Sequence, residues 1–311
     1  VGLTLGTELG ALGFNLDFAP VADVYSNPDN PVIGDRAFSS DPDTAAEMVA
    51  ACVEGFGDSG TLCVLKHFPG HGDTDVDSHK ALPVLPFTRA RLDSIELYPF
   101  RKAIRADWRM MVGHLEVPTI EPQKGLPSSL SRKVVSGLLV NDLGFQGLVF
   151  TDALAMKGVS GNESICLQAL KAGNDLLLVP RRIKEEVEAV LAAVKKGELT
   201  EKEIEAKCRK VLKYKYALGL EKKPHVQLSG LGTRINTPKT RDLMRRLNLA
   251  AITVLDNRDE VLPLDPSIGE VAVLNVEKRR KSGRSSKNCR SIPVLWSSIW
   301  ARICRRLTGT V

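Results

Sequence analysis

The chain has 311 residues, of which 43% are hydrophobic and 26% charged, with five histidines, six cysteines and a formal net charge of +6. That length suits one large domain plus part of another, and the composition is that of an ordinary folded protein, not a disordered or fibrous one. No apolar run reaches the roughly 18–20 residues of a membrane helix, and the cysteines show neither a CxxC pair nor framework spacing, so they read as unpaired thiols.

The charge is uneven. Residues 271–311 hold ten Lys and Arg against one acid, a local balance of +9, which leaves −3 for residues 1–270. This basic tail, 277–311, lacks helical or strand periodicity. It reads either as an arm for nucleic acid or a membrane surface, or as the product of a reading-frame slip or fragment end, and the second reading is preferred. The chain opens at Val1 in what reads as mid-helix, so its start is taken as missing and its compartment is left open.

In chain order, five short apolar runs end in polar or turn-forming residues: "FNLDFAP" (14–20), "TLCVLKHFPG" (61–70), "MMVGHLEVP" (110–118), "GLVFTDAL" (147–154) and "NDLLLVP" (174–180). Segments of helical character lie between them, such as 42–60 and 131–143. Runs that are apolar throughout suit strands buried on both faces, as in a parallel sheet covered by helices. The expected architecture is α/β, built on a βα repeat. Thr200 followed by Glu203 predicts a capping box opening a long helix that runs to Gly219 and closes the domain over residues 1–220. Residues 221–240, rich in Pro, Gly and polar residues, read as a linker. A helix from Thr240 and strands at 251–255 ("AITVL") and 270–276 ("EVAVLNV") are expected to begin a second α/β domain, 241–276.

Ligands of barrels and open α/β sheets meet the carboxyl ends of the strands. The polar residues there are Asp17 and Asp23, Lys66 and His67, His114 and Glu116, Asp152, and Asp175. The stretch "KHFPGHGDTDVDSH" (66–79) adds three of the five histidines within fourteen residues. Gly70 and Gly72 let its backbone turn tightly. Asp77 and His79 stand two apart, a spacing that in a bent loop lets the carboxylate accept the Nδ1 proton and orient Nε2 toward a substrate. Such an imidazole can act first as acid and then as base near neutral pH. Asp152, at the end of a buried strand, could attack an anomeric carbon and form a glycosyl ester. A zinc site is not expected: His67 and His71 have a ligand spacing that belongs to helices, which Pro69 and Gly70 disfavour, and His71 reads as a loop-shaping hydrogen-bond donor.

The segments "FNLDFAPVADV", "NPVIGDRAFSSDP", "KHFPGHGDTDVDSH", "LSRKVVSGLLVNDLGFQGLVFTDALAM" and "AGNDLLLVP" together make the chain resemble glycoside hydrolase family 3, specifically its β-N-acetylglucosaminidase branch, over nearly all of residues 1–220. The resemblance implies a (β/α)8 TIM-type barrel whose last five strands are the five runs, with the first strands lacking. It implies Asp152 as nucleophile, His79 as acid/base and Asp77 as its partner, with Arg36, Lys66 and His67 as hydrogen-bonding contacts to the sugar. The implied activity is a retaining exo-β-N-acetylglucosaminidase acting on peptidoglycan fragments or related glycans, without cofactor, metal or nucleic acid. A phosphorylase of the same branch and an inactive sugar-binding fragment remain as alternatives.

Overall fold

The computed structural model describes residues 1–75, 81–104, 108–159, 163–222, 225–257 and 262. Its contacts separate Val1–Leu247 from Asn248–Val311.

In the first unit the apolar runs lie side by side and parallel. Strand β1 (Leu16–Asp17) pairs with β2 (Leu62–Cys63), and β3 (Leu65–Phe68) pairs with β4 (Arg109–Val112), which pairs with β5 (Leu148–Thr151). Strands β2 and β3 come from one run, broken only at Val64, whose N–H donates to the carbonyls of Asp17 and Ala19 at 2.9 and 3.0 Å. Spatial order therefore follows sequence order with no reversal. Repeated βα units wind this way in barrels, whereas doubly wound sheets reverse direction midway.

Alternation along the strands sends side chains into two apolar layers. Leu65, Met110, Val112 and Val149 meet Val49, Val53 and Phe56 of the helix Pro42–Ser59, Phe100 of the helix Tyr98–Ala103, and Val134, Val135, Leu138 and Leu139 of a further helix. Val64, Met111, Leu148 and Phe150 point the other way, against Phe18, Leu176, Val211 and Tyr214. With both faces covered, each fully buried Leu, Val or Phe contributes about 1.5–3 kcal/mol, which explains why the runs are apolar without alternation.

The helices begin and end where local chemistry dictates. After α1 (Gly2–Ala11), α2 (Pro42–Ser59) starts at Asp41, whose carboxylate accepts the Thr44 N–H; Pro42 follows, and Gly60 ends the helix at φ 77°. Short helices α3 (Arg89–Ser94) and α4 (Tyr98–Ala103) follow. The helix expected over 131–143 is present as a π-helix, Lys133–Asp142, followed by α5 (Ile165–Ala172) and α6 (Ile183–Lys195). Helix α7 (Glu201–Ala217) opens with the expected Thr200–Glu203 capping box. Its Lys210 donates to the Gly147 carbonyl and to Asp175, which fastens the helix to the base of β5.

Three expectations differ from the structure. The fifth run, 174–180, lies parallel to β5 as the bridge Phe150 to Leu176, shorter than a full strand, with the Leu176 N–H donating to the Val149 carbonyl and the Leu176 carbonyl accepting the Thr151 N–H, both at 3.0 Å. Side chains add to these bonds: Asp175 accepts the Val149 N–H at 3.0 Å, and the Thr151 hydroxyl accepts the Leu178 N–H at 3.1 Å. Residues 221–240, expected to be a linker, belong to the first unit. They include α8 (Leu231–Arg234) and the start of α9 (Pro238–Ala250), and they are held to α1 because Glu8 accepts the Asn236 N–H at 2.9 Å and the Thr240 hydroxyl at 2.7 Å. In the second unit the strand expected at 251–255 is absent: Ile252, Val254 and Leu255 are exposed in irregular chain, with no ladder partner among the described residues. The strand expected at 270–276 and the basic tail lie outside the described residues. Among the described residues, no helix is long and apolar enough to cross a membrane.

Candidate active site

The carboxyl ends of the strands gather polar groups on one rim. At its base is Asp23, 1% exposed, following the β1 run. Its Oδ2 lies 2.8 Å from His67 Nδ1, its Oδ1 accepts the His71 N–H at 2.7 Å, and it also accepts the His67 N–H at 3.2 Å. Burial alone would raise the Asp23 carboxyl, but the two histidines outweigh it and hold the group below the ordinary aspartate value. An ionised Asp23 takes the proton-bearing Nδ1 of His67, which fixes the imidazole's orientation.

Lys66 precedes His67 on β3 and is half-buried. Burial is the largest influence on its ammonium and holds it below the ordinary lysine value; Arg36 pushes the same way, while Asp152, Asp17 and Asp23 push back. Lys66 therefore sits within electrostatic reach of both Arg36 and Asp152, so three of the residues picked out in the sequence come together. Arg36 ends a short turn, Gly34–Arg36, and its exposed guanidinium donates to the Val32 carbonyl at 2.8 and 3.2 Å.

Asp152 follows β5 directly and is half-buried. Its N–H donates to the Val112 carbonyl at the end of β4, at 2.9 Å, and its Oδ1 accepts the Ala153 N–H at 2.7 Å. The carboxylate is thus fixed at both backbone and side chain, with Oδ2 not hydrogen-bonded among the described residues. Asp77 and His79 lie outside the described residues.

The loop after β3 is built for close approach. A Cβ on Gly72 would meet the Val24 carbonyl oxygen at 1.6 Å, so only glycine fits there, and Gly70 has φ 131°. His71 shapes the loop as expected, its Nδ1 sharing a 2.6 Å hydrogen bond with the Thr74 hydroxyl. Burial lowers the His71 imidazole below its ordinary value, with Asp23 opposing and His67 adding to the shift.

Three contributors carried no signal in the sequence. Asn30, 5% exposed, donates to the carbonyls of His71 and Gly72 and accepts from the N–H groups of Val32 and Ile33, which ties the Arg36 turn to the histidine loop. Arg91 bridges Asp73 at 2.5 Å and buried Glu96 at 3.0 Å. Ser129, itself fully buried, meets His114 at 2.7 Å. Glu116 and Asp175 have structural partners: Glu116 accepts the Gly125 N–H at 3.0 Å, and Asp175 pairs with Lys210 at 2.8 Å. Among the described residues no cluster of three or more His, Cys, Asp or Glu could hold a metal ion.

Among known proteins, residues 1–214 match the Glycosyl hydrolase family 3 N terminal domain. The chain belongs to glycosyl hydrolase family 3. Its first unit accordingly has that domain's TIM-barrel-like α/β fold. Beta-hexosaminidase A of Pseudoalteromonas piscicida is 33% identical over 303 residues, covering 90% of this chain and 50% of that protein. A solved glycoside hydrolase family 3 β-N-acetylglucosaminidase from Paenibacillus sp. str. FPU-7 superposes with TM-score 0.73 at 40% identity, over 79% of this chain and 48% of that one. A solved beta-glucoside phosphorylase, BglX, superposes with TM-score 0.76 at 25% identity, over 85% and 50% of the respective chains. This family 3 chain spans about half the length of the relatives it matches.

Proposed function

We propose that the chain carries the catalytic domain of a retaining exo-acting β-N-acetylglucosaminidase that removes N-acetylglucosamine from peptidoglycan fragments or related β-N-acetylhexosaminides. The observation that carries this reading is the placement of Asp152: a carboxylate with one oxygen held by the Ala153 N–H, at a rim where Lys66 and Arg36 supply positive donors. The names of the hexosaminidase relatives support the sugar class. The barrel is read as the (β/α)8 type.

Asp152 Oδ2 attacks the anomeric carbon while the glycosidic C–O bond breaks, and His79, oriented by Asp77, gives its proton to the leaving oxygen. In the second half His79 takes a proton from water, the water oxygen bonds to the anomeric carbon, and the ester to Asp152 breaks. Two displacements retain the configuration. Arg36, Lys66 and His67 hold the sugar hydroxyls in fixed geometry, which lowers the entropic part of the barrier. Asp152→Ala and His79→Ala are expected to lower turnover of an aryl N-acetyl-β-glucosaminide by about 10³-fold or more. Unchanged turnover in either variant would sink the assignment.

Phosphorolysis is the second reading, favoured by the likeness to a beta-glucoside phosphorylase and by a rim whose acid/base is an imidazole, which repels an incoming phosphate less than a carboxylate would. Product analysis in phosphate buffer separates the two, because only phosphorolysis gives a sugar 1-phosphate. Sugar binding without turnover would instead mark a non-catalytic binder.

A further inference from the structure

Next to Asp152 lies a buried chain of hydrogen bonds that none of the steps above uses. His114, two residues beyond β4, is 0% exposed, as are Ser129 and Asn174. The His114 Nε2 lies 3.1 Å from the Ala153 carbonyl oxygen, and its Nδ1 lies 2.7 Å from the Ser129 hydroxyl. A carbonyl oxygen can only accept, so Nε2 carries the proton; a neutral ring then has a bare Nδ1, which accepts from the Ser129 hydroxyl. Ser129 is itself held in place, since Asn174 Nδ2 donates to its carbonyl at 2.8 Å and to that of Ala169 at 2.8 Å. The chain therefore runs from Asn174 through Ser129 and His114 to the Ala153 peptide.

The two peptide groups that flank the Ala153 Cα are held together. Residue 153 receives His114 on its carbonyl and gives its own N–H to Asp152 Oδ1 at 2.7 Å. We infer that His114 is a positioning residue. By holding the Ala153 backbone it fixes which oxygen of Asp152 is tied down and which, Oδ2, faces the anomeric carbon. The inference rests on the reading of Asp152 as nucleophile. Full burial makes the device exacting, because no water can replace the His114 donor if it is removed.

The test uses the full 311-residue chain and a 2-acetamido-2-deoxy-5-fluoro-β-glucosyl fluoride. In this probe Asp152 displaces fluoride from the anomeric carbon and the resulting ester persists, so mass spectrometry reads the attack step alone. His114→Gln keeps a donor where Nε2 was and is expected to label within about threefold of wild type. His114→Met keeps the bulk but not the donor and is expected to label about 30-fold more slowly, the equivalent of one buried acceptor left without its donor. A merely structural role would slow both variants in proportion to their loss of Tm. Asp152→Ala is the reference: if it still labels, or if wild type does not, the nucleophile reading falls and the inference with it. If Asp152→Ala abolishes labelling but His114→Met labels like wild type, only the inference falls. Nitrogen-15 NMR supplies a readout independent of activity. The His114 ring, assigned by its absence in His114→Gln, is expected in the Nε2–H form; the Nδ1–H form would overturn the inference.

Discussion

Asn30 Nδ2 donates to the His71 carbonyl at 2.7 Å across 41 residues of sequence, while Asn30 Oδ1 accepts the N–H groups of Val32 and Ile33 at 2.9 and 2.8 Å. One side chain thus joins two loops, one bearing Arg36 and the other following Lys66 and His67. An amide carries two N–H donors and a separate acceptor oxygen on a single short branch, which a hydroxyl or an ionised carboxylate does not. Asn30→Asp keeps the acceptor but turns a second oxygen toward the carbonyls of His71 and Gly72. With each unsatisfied buried group costing about 1–3 kcal/mol, this variant is expected to lose about 3 kcal/mol at pH 7, and less at pH 4, where the carboxyl can donate a proton. Urea unfolding at the two pH values checks this. Equal stability of Asn30→Asp and wild type at pH 7 would refute it.

Arg91 serves two acids of unequal exposure: Glu96 has a side chain 2% exposed and Asp73 one 20% exposed. Burial pushes the Glu96 carboxyl up, with Arg91 opposing. Removing the cation leaves a buried acid unpaired, so Arg91→Met is expected to cost about 3–5 kcal/mol. Glu96→Gln in that background should recover part of the loss. A double-mutant cycle is expected to give a coupling of about 1 kcal/mol or more, and independent effects would show the bridge to be idle.

Two glycines make a matched pair. Gly72 faces the Val24 carbonyl, which a Cβ would meet at 1.6 Å, whereas Gly57, inside α2, has nothing within 4 Å of its would-be Cβ. Gly72→Ala must displace backbone and is expected to prevent soluble folding or to cost more than about 3 kcal/mol. Gly57→Ala removes flexibility from a helix and should stabilise it by about 0.5–1 kcal/mol. Thermal melts of the two variants read opposite signs.

Much of this was legible in the sequence, and the limits have physical causes. Strands buried on both faces are written as apolar runs, and caps are written as Asp41–Pro42 or Thr200–Glu203, because local chemistry decides them. The fifth run takes its place beside β5 but is shorter than its apolar length suggests, because past Leu176 the Leu178 N–H turns to the Thr151 hydroxyl, which composition does not reveal. The segment at 221–240 looked like a linker because the partner that fixes it, Glu8, is more than 200 residues away. At the site, charged strand-end residues stand out, but Asn30, Ser129 and Arg91 act through long-range pairings that no local pattern encodes.

His71 makes the fold sensitive to mild acid. Its folded-state proton affinity lies below the ordinary value, chiefly through burial. The unfolded chain therefore takes up a proton first as pH falls below about 6.5. The His71 contribution is fully present above that pH and is lost as pH falls through the depressed folded value. Asp23, also depressed, adds a loss of the same sign lower down, below about pH 4. His71→Asn can offer an amide to Thr74 but cannot titrate. Its Tm is expected to change less than that of wild type between pH 7 and pH 5, and parallel curves would exclude His71 as the sensor.

Lys66 is the residue at which stability and activity are expected to part. Its ammonium is disfavoured chiefly by burial, with Arg36 adding to the penalty, so charge at this position weakens the fold throughout the pH range below 10.5 where the unfolded lysine is protonated. Lys66→Met keeps the aliphatic stem and removes that penalty, and its Tm is expected to rise by about 2 °C. A sugar held by a charged donor loses about 1.5–3 kcal/mol when that donor goes, so kcat/KM should fall by roughly 10- to 150-fold. A lysine kept for structure would lose Tm along with activity. Opposite movements of the two quantities in one variant are what a strained, ligand-directed cation requires; a fall in both would return Lys66 to the scaffold.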